Sequence, residues 1–192
     1  KNTNEGFENQ ENINTAEPAS QRVVAVDDFD YFITMSELDA LGLESNLILS
    51  MVNKVLSLNT DDNFSAMDIM TVDLFEKKAD FIKIGAPSSY VLTDNSIKII
   101  DGSSLPLGIL DDLSPTGCSF DLQDGSTIIL LSDGVSDTFG SSTDLVEFLR
   151  TLDNKNPQFI SDSILNYALN KEGGIAKDDM TVLAVRIFNK AS

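Results

Sequence analysis

The chain has 192 residues, of which 42% are hydrophobic, and a formal net charge of −18 from 31 acidic and 13 basic side chains. Such a surface repels nucleic acid and anionic membrane. With no His and a single Cys118, the chain cannot hold an internal disulfide, a Cys/His metal site, a Ser-His-Asp triad or a histidine general base, so any catalysis must run on carboxylates and a metal.

Residues 1–19, "KNTNEGFENQENINTAEPA", carry almost nothing apolar and read as a disordered tail, because too little surface is available to offset the entropy of ordering. A single domain is expected over 20–190. No apolar run approaches the length of a membrane helix, the N-terminus lacks the apolar core of a signal peptide, and the lone Cys fits a reducing compartment. The expectation is a cytoplasmic domain, either free or part of a membrane-anchored protein.

"SQRVVAVDDFDYFITMSELDALG" reads as mostly helical, with Val23, Val24, Phe29 and Phe32 apolar and Gly42 as its stop. "ESNLILSMVNKVLSL" then sets Leu47, Ile48, Met51, Val52, Val55 and Leu56 at helical spacing behind a candidate cap, Ser45. Four short β-rich segments follow, at 67–75, 79–85, 89–93 and 96–100, and their tight connections predict an antiparallel meander. The stretch 101–125, with Pro106, Gly108, Pro115, Gly117 and Gly125, reads as loose. "TIILL" (127–131) is continuously apolar and is expected to be a central strand.

Two helices come next. The first, 141–152, opens on Ser141 with Asp144 three residues on, like a capping box. The second, 156–171, opens on Asn156 with Pro157 at the first helical position and ends at Gly173-Gly174. "MTVLAVRIF" (180–188) closes the domain as a strand. Helices, strands, helices and a strand make an α+β fold, or two antiparallel sheets with helices outside.

The chemistry gathers at two strand ends. Asp133 of Ser132-Asp133-Gly134 follows the strand at 127–131, and Asp178-Asp179 precede the last one. If those strands are antiparallel neighbours, carboxylates 45 residues apart (178 − 133) meet at one rim. Their mutual repulsion would be relieved by a hard divalent cation such as Mg²⁺ or Mn²⁺. The methionines read as core. Cys118 has no basic sequence neighbour to activate it, and Asp101, Asp111, Asp112, Asp121 and Asp124 read as solvated loop residues.

"LLSDGVSD" and "KDDMTVLAVRI", together with "MVNKVLSLN", "SAMDIMTVDL", "FIKIGAPSSYVL" and "LPLGIL" in order, resemble the metal-dependent protein phosphatases of the type 2C (PPM) family. The similar branch is the bacterial one typified by the stage II sporulation protein E phosphatase domain, over about residues 20–188. The resemblance implies an α-β-β-α sandwich of antiparallel sheets flanked by helices. It also implies two Mn²⁺ or Mg²⁺ ions, and hydrolysis of phosphoserine or phosphothreonine on a protein such as an anti-sigma factor antagonist in sporulation or stress signalling. Carried over by position, Asp133 and Asp178 are metal ligands, Gly134 permits the turn beside the metal, and Asp179 and Asp137 are secondary candidates.

The family's upstream carboxylates are expected before the first helix. With that helix starting at "SQRVV", an Asp-Gly should stand near residues 8–14, where none occurs; no Asp at all precedes Asp27, and no apolar strand is evident before it. The sequence is therefore expected to lack the first strands of the sandwich and to keep at most part of a two-metal site. Three readings remain: an active phosphatase completed by upstream sequence, a non-catalytic pseudophosphatase that binds a regulatory partner, and a generic acidic α+β domain whose resemblance goes no deeper than the fold.

Overall fold

The computed structural model describes residues 21–26, 45–58, 64–102, 104–110 and 115–188. Two four-stranded antiparallel sheets carry the fold. The first has the order β1-β2-β3-β6, from β1 (Gln21–Val26), β2 (Met67–Asp73), β3 (Lys78–Ile84) and β6 (Thr116–Asp121). The second has the order β5-β4-β7-β8, from β4 (Ser89–Leu92), β5 (Ile97–Ile100), β7 (Thr127–Leu131) and β8 (Val182–Arg186). The helices are α1 (Ser45–Leu58), the single turn α2 (Asp133–Ser136) continued by a 3₁₀ turn (Asp137–Phe139), α3 (Ser142–Arg150) and α4 (Pro157–Lys171).

Strand periodicity sorts the side chains into three apolar clusters. Inward residues of β2 and β3 (Met70, Val72, Ala79, Phe81) pack on Val91, Ile100, Ile128 and Leu130 of the other sheet. The alternate positions of β4 and β7 (Tyr90, Ile129, Leu131) pack on Leu145, Val146 and Leu149 of α3 and on Ile160, Ile164 and Ala168 of α4. On the first sheet, Met67, Ile69 and Ile84 meet Leu49 and Leu56 of α1. Because successive strand residues face opposite sides, a sheet covered on both faces needs apolar residues at nearly every position. All five residues of β7 are buried for this reason.

Three expectations are corrected. Residues 21–26 are not the start of a helix but β1, paired antiparallel with β2 from Gln21↔Val72 to Val26↔Met67. Val23, Val24 and Val26 are stiff at χ1 and favour a pleated surface over a helical turn. A strand therefore does precede Asp27. The remainder of that expected helix, 27–42, lies outside the described residues, as does the tail 1–19. The stretch 101–125, read as loose, contains β6, which pairs with β3 through Phe81↔Cys118 and Lys83↔Thr116. Among the described residues it stands at the edge of its sheet, with mostly exposed side chains, so it lacks the apolar alternation that marks half-buried strands.

The third correction is the meander expected over 67–100: β2 pairs with β3 in the first sheet and β4 with β5 in the second, so it is two hairpins in separate sheets. The expected helix caps stand. Ser141 accepts the Asp144 N–H at 3.2 Å, and Asn156 accepts the N–H groups of Gln158 and Phe159 at 2.9 and 3.3 Å. Gly173 and Gly174 take φ of 77° and 88°, conformations that close α4 without a Cβ clash. No helix of the described residues is long and apolar enough to cross a membrane.

Candidate metal site

β7 and β8 are antiparallel neighbours, with Leu131 opposite Val182. The end of β7 therefore meets the start of β8, and the two carboxylate-bearing segments come together. Ser132 stitches them. Its N–H donates to the Thr181 carbonyl at 3.0 Å, its hydroxyl donates to the Asp179 carbonyl at 2.8 Å, and its Oγ accepts the Thr181 N–H at 2.9 Å. The side chain of Ser132 is buried while Asp133, Asp178 and Asp179 remain exposed.

Gly134 makes the close approach possible. A methyl group at its Cα would lie 2.5 Å from the Asp179 carbonyl oxygen and 3.2 Å from Asp178 Cβ. Each main carboxylate is oriented by the next amide: Asp133 Oδ1 accepts the Gly134 N–H at 2.7 Å, and Asp178 Oδ1 accepts the Asp179 N–H at 2.8 Å. One oxygen of each is thereby held, and acceptor capacity remains on each carboxylate. Asp179 contributes its backbone carbonyl to the stitch. Asp137 begins the 3₁₀ turn, exposed, four residues beyond Asp133.

The donor chemistry suits a hard cation, yet the set is small. Among the described residues, no group of three or more His, Cys, Asp or Glu side chains could hold a metal ion. Asp133 and Asp178 are neighbours without a third carboxylate from that set.

The first sheet reaches the same rim. Lys83 Nζ donates to Asp68 Oδ2 at 2.6 Å and to Ser89 Oγ at 2.8 Å, and Ser89 Oγ donates to Asp68 Oδ2 at 2.6 Å. Asp68 lies opposite Ala25, next to the C-terminal end of β1. Tyr90 lies opposite Ile129, which sets Ser89 level with Leu130, two residues before Ser132. The end of β1 and the end of β7 thus share one rim. Burial pulls the Lys83 ammonium below its ordinary pKa, against the attraction of Asp68.

Sequence reasoning passed over Ser132, Asp68, Lys83 and Ser89. A signal for one pair existed. Lys83 shares the inward parity of Ala79 and Phe81, and Asp68 that of Met70 and Val72, so two charged residues were written into a buried face. Cys118 is exposed on β6; partial burial pushes its thiol pKa up, and Lys98 and Lys83 oppose this.

The profile of the stage II sporulation protein E (SpoIIE) family matches residues 31–188. The chain belongs to the SpoIIE family. It is 28% identical over 151 residues to stage II sporulation protein E of Bacillus subtilis (strain 168), covering 76% of this chain and 18% of that protein. It is 27% identical over 151 residues to the Priestia megaterium protein of the same name, covering 76% of this chain and 26% of that one. This SpoIIE-family chain therefore spans about a fifth to a quarter of the length of these relatives. A solved structure of the PP2C phosphatase domain with a fragment of the regulatory domain of B. subtilis SpoIIE superposes with a TM-score of 0.71 at 27% identity, covering 79% of this chain and 47% of that one. The SpoIIE phosphatase domain presoaked with Mn gives 0.63 at 23% identity, covering 92% and 88%, a likeness of fold.

Proposed function

We propose that this chain is a metal-dependent protein phosphatase domain acting on phosphoserine or phosphothreonine of a regulatory protein, of the anti-sigma factor antagonist kind. The observation that carries the reading is the stitched junction of Asp133-Gly134 with Asp178-Asp179, within a SpoIIE-family fold. The apolar layer between the sheets and the helices on their outer faces support an α-β-β-α sandwich for it. The acidic surface disfavours nucleic acid as a partner, and we place the domain in the cytoplasm.

Asp133 and Asp178 are the residues to hold Mn²⁺ or Mg²⁺, with Asp179 and Asp137 as secondary candidates. A divalent ion there would supply positive charge for a phosphoryl oxygen and lower the pKa of a water. The protein's own part is orientation. The Gly134 and Asp179 amides hold one oxygen of each carboxylate, and Ser132 keeps the two segments at fixed spacing, so the acceptors face the rim before any ligand arrives. With β1 a strand, the place for the upstream carboxylate moves from residues 8–14 to the end of β1. Val26 is followed in sequence by Asp27-Asp28, which lie outside the described residues. Asp27 is our candidate for the missing ligand.

Phosphate release from a phosphoserine peptide in Mn²⁺ tests this. The wild type should release phosphate only with the metal, and Asp133→Asn, Asp178→Asn and Asp27→Asn should each lower the rate by about 100-fold or more. No Mn²⁺-dependent release, even with natural upstream sequence attached, would overturn the enzyme. The absence of a three-carboxylate group among the described residues favours a second reading, a pseudophosphatase that binds its partner without hydrolysis. Calorimetry separates the two: tight two-site Mn²⁺ binding argues for the enzyme, and partner binding without metal binding argues for the pseudoenzyme.

A further inference from the structure

Lys83 and Asp68 form an ion pair whose side chains are 1% and 6% exposed. It lies in the layer between the sheets, where the neighbouring contacts are apolar. A buried pair of this kind contributes little net stability, because desolvating two charges offsets their attraction, and apolar replacements are often as stable. What it offers instead is direction. Met70, Phe81, Val91 and Leu130 can slide past one another at small cost, whereas hydrogen bonds of 2.6 to 2.8 Å fix both distance and angle.

The bonds also run across the gap. Asp68 and Lys83 sit on β2 and β3 of the first sheet, and Ser89 sits on β4 of the second. Ser89 accepts from the lysine and donates to the carboxylate, so one fully buried hydroxyl ties the sheets together. The site is tightly enclosed. A methyl at Gly102 would lie 2.5 Å from Lys83 Cβ, and the adjacent Asp101 accepts the Ser88 hydroxyl at 2.5 Å. Asp68 Oδ1 is buried and has no hydrogen-bond partner among the described residues, so part of the acceptor capacity is left unused to achieve this geometry. By register, the tie lies about three residues below Asp133, roughly 10 Å along the strand direction.

We propose that Asp68, Lys83 and Ser89 form an inter-sheet tie that positions the carboxylate rim, setting the spacing between the end of β7 and the opposing sheet. These are positioning residues, acting through the backbone rather than on a ligand. That the positioning serves a cation rests on the phosphatase reading above; the tie itself does not.

Ser89→Ala removes the cross-sheet bonds and leaves the Lys83–Asp68 pair within its sheet. Hydrogen exchange then reads the consequence at two ends of the molecule. At the rim, the Ser132 and Thr181 amides should exchange about tenfold faster than in the wild type. At the far end, the Gly125 and Ile187 amides, which donate to Ile187 and Ser126 carbonyls, should be unchanged. Mn²⁺ calorimetry on the same protein should show a dissociation constant weakened about tenfold. Equal acceleration at both ends, or no change at the rim, would overturn the tie. If the wild type binds no Mn²⁺, the metal reading fails, and hydrogen exchange alone decides the tie. The Asp68→Leu/Lys83→Met double variant offers an apolar replacement with Ser89 intact. It should fold and show the same rim-selective exchange; if both this variant and Ser89→Ala fail to fold, the cluster is a stability element and the positioning role is wrong.

Discussion

Gly134 does not adopt a positive φ, so its lack of a side chain serves space rather than backbone freedom. The atom that a methyl would meet is a backbone carbonyl oxygen in a segment hydrogen-bonded to Ser132, and it cannot rotate away. Gly134→Ala should therefore part the two segments, cost about 1–3 kcal/mol as an overpacked contact, and weaken Mn²⁺ binding more than a remote substitution of equal cost. Urea denaturation and calorimetry check both outcomes. At this scale much of the site was legible. Ser132-Asp133-Gly134 and Asp178-Asp179 stand beside the two most apolar strands, and strand ends that pair must bring their flanking residues together. Ser132 was not legible, since a serine before an Asp-Gly turn gives no sign of which carbonyl its hydroxyl will find 47 residues away.

Local chemistry predicted the elements best where it is self-contained. The Asn156 cap and Pro157 of α4 need only each other and the next two amides. Asn156→Ala should cost about 1 kcal/mol, read as a lower urea midpoint with an unchanged slope. The elements without a local signature, β1 and β6, stand at the edges of the first sheet among the described residues. Apolar residues within "QRVVAV" allow either period over so short a window, and only pairing with β2 makes β1 a strand. β6 carries no strand signal in sequence because its side chains are mostly exposed and its partner β3 lies 39 residues away in the Asp80–Ser119 contact. Because β1 ends at Val26, the proposed upstream ligand Asp27 follows it directly in sequence.

For the whole molecule, a shared rim depends on two sheets stacked in one register, and global stability should carry a mark of that packing at high pH. Tyr90 is buried between the second sheet and its helices. Burial first, and the Asp101 carboxylate second, raise its pKa from 10.0 to about 12, with a Ser88 hydrogen bond pulling the other way. Its folded pKa lies above its unfolded value, so its contribution is fully present below pH 10 and is lost as pH rises toward 12. The loss amounts to roughly 2–3 kcal/mol. Lys83, shifted down, acts with the opposite sign below its ordinary value of 10.5, but it is common to both proteins when the wild type is compared with Tyr90→Phe. The variant should lose the steep fall in stability between pH 10 and 12, as measured by denaturant unfolding across that range.

By itself the sequence narrowed the chemistry open to the chain, because without His it has no histidine general base and no Ser-His-Asp triad. It also determined α3, α4 and the strands β2 to β5 and β7, because their periodicity and caps are local. Only the tertiary structure decided that β1 is a strand and which rim it ends on. It alone revealed that a buried Asp68–Lys83–Ser89 cluster joins the two sheets below Asp133. Those facts depend on pairings between residues far apart in sequence, and the energy of a non-local pairing is written in neither partner alone.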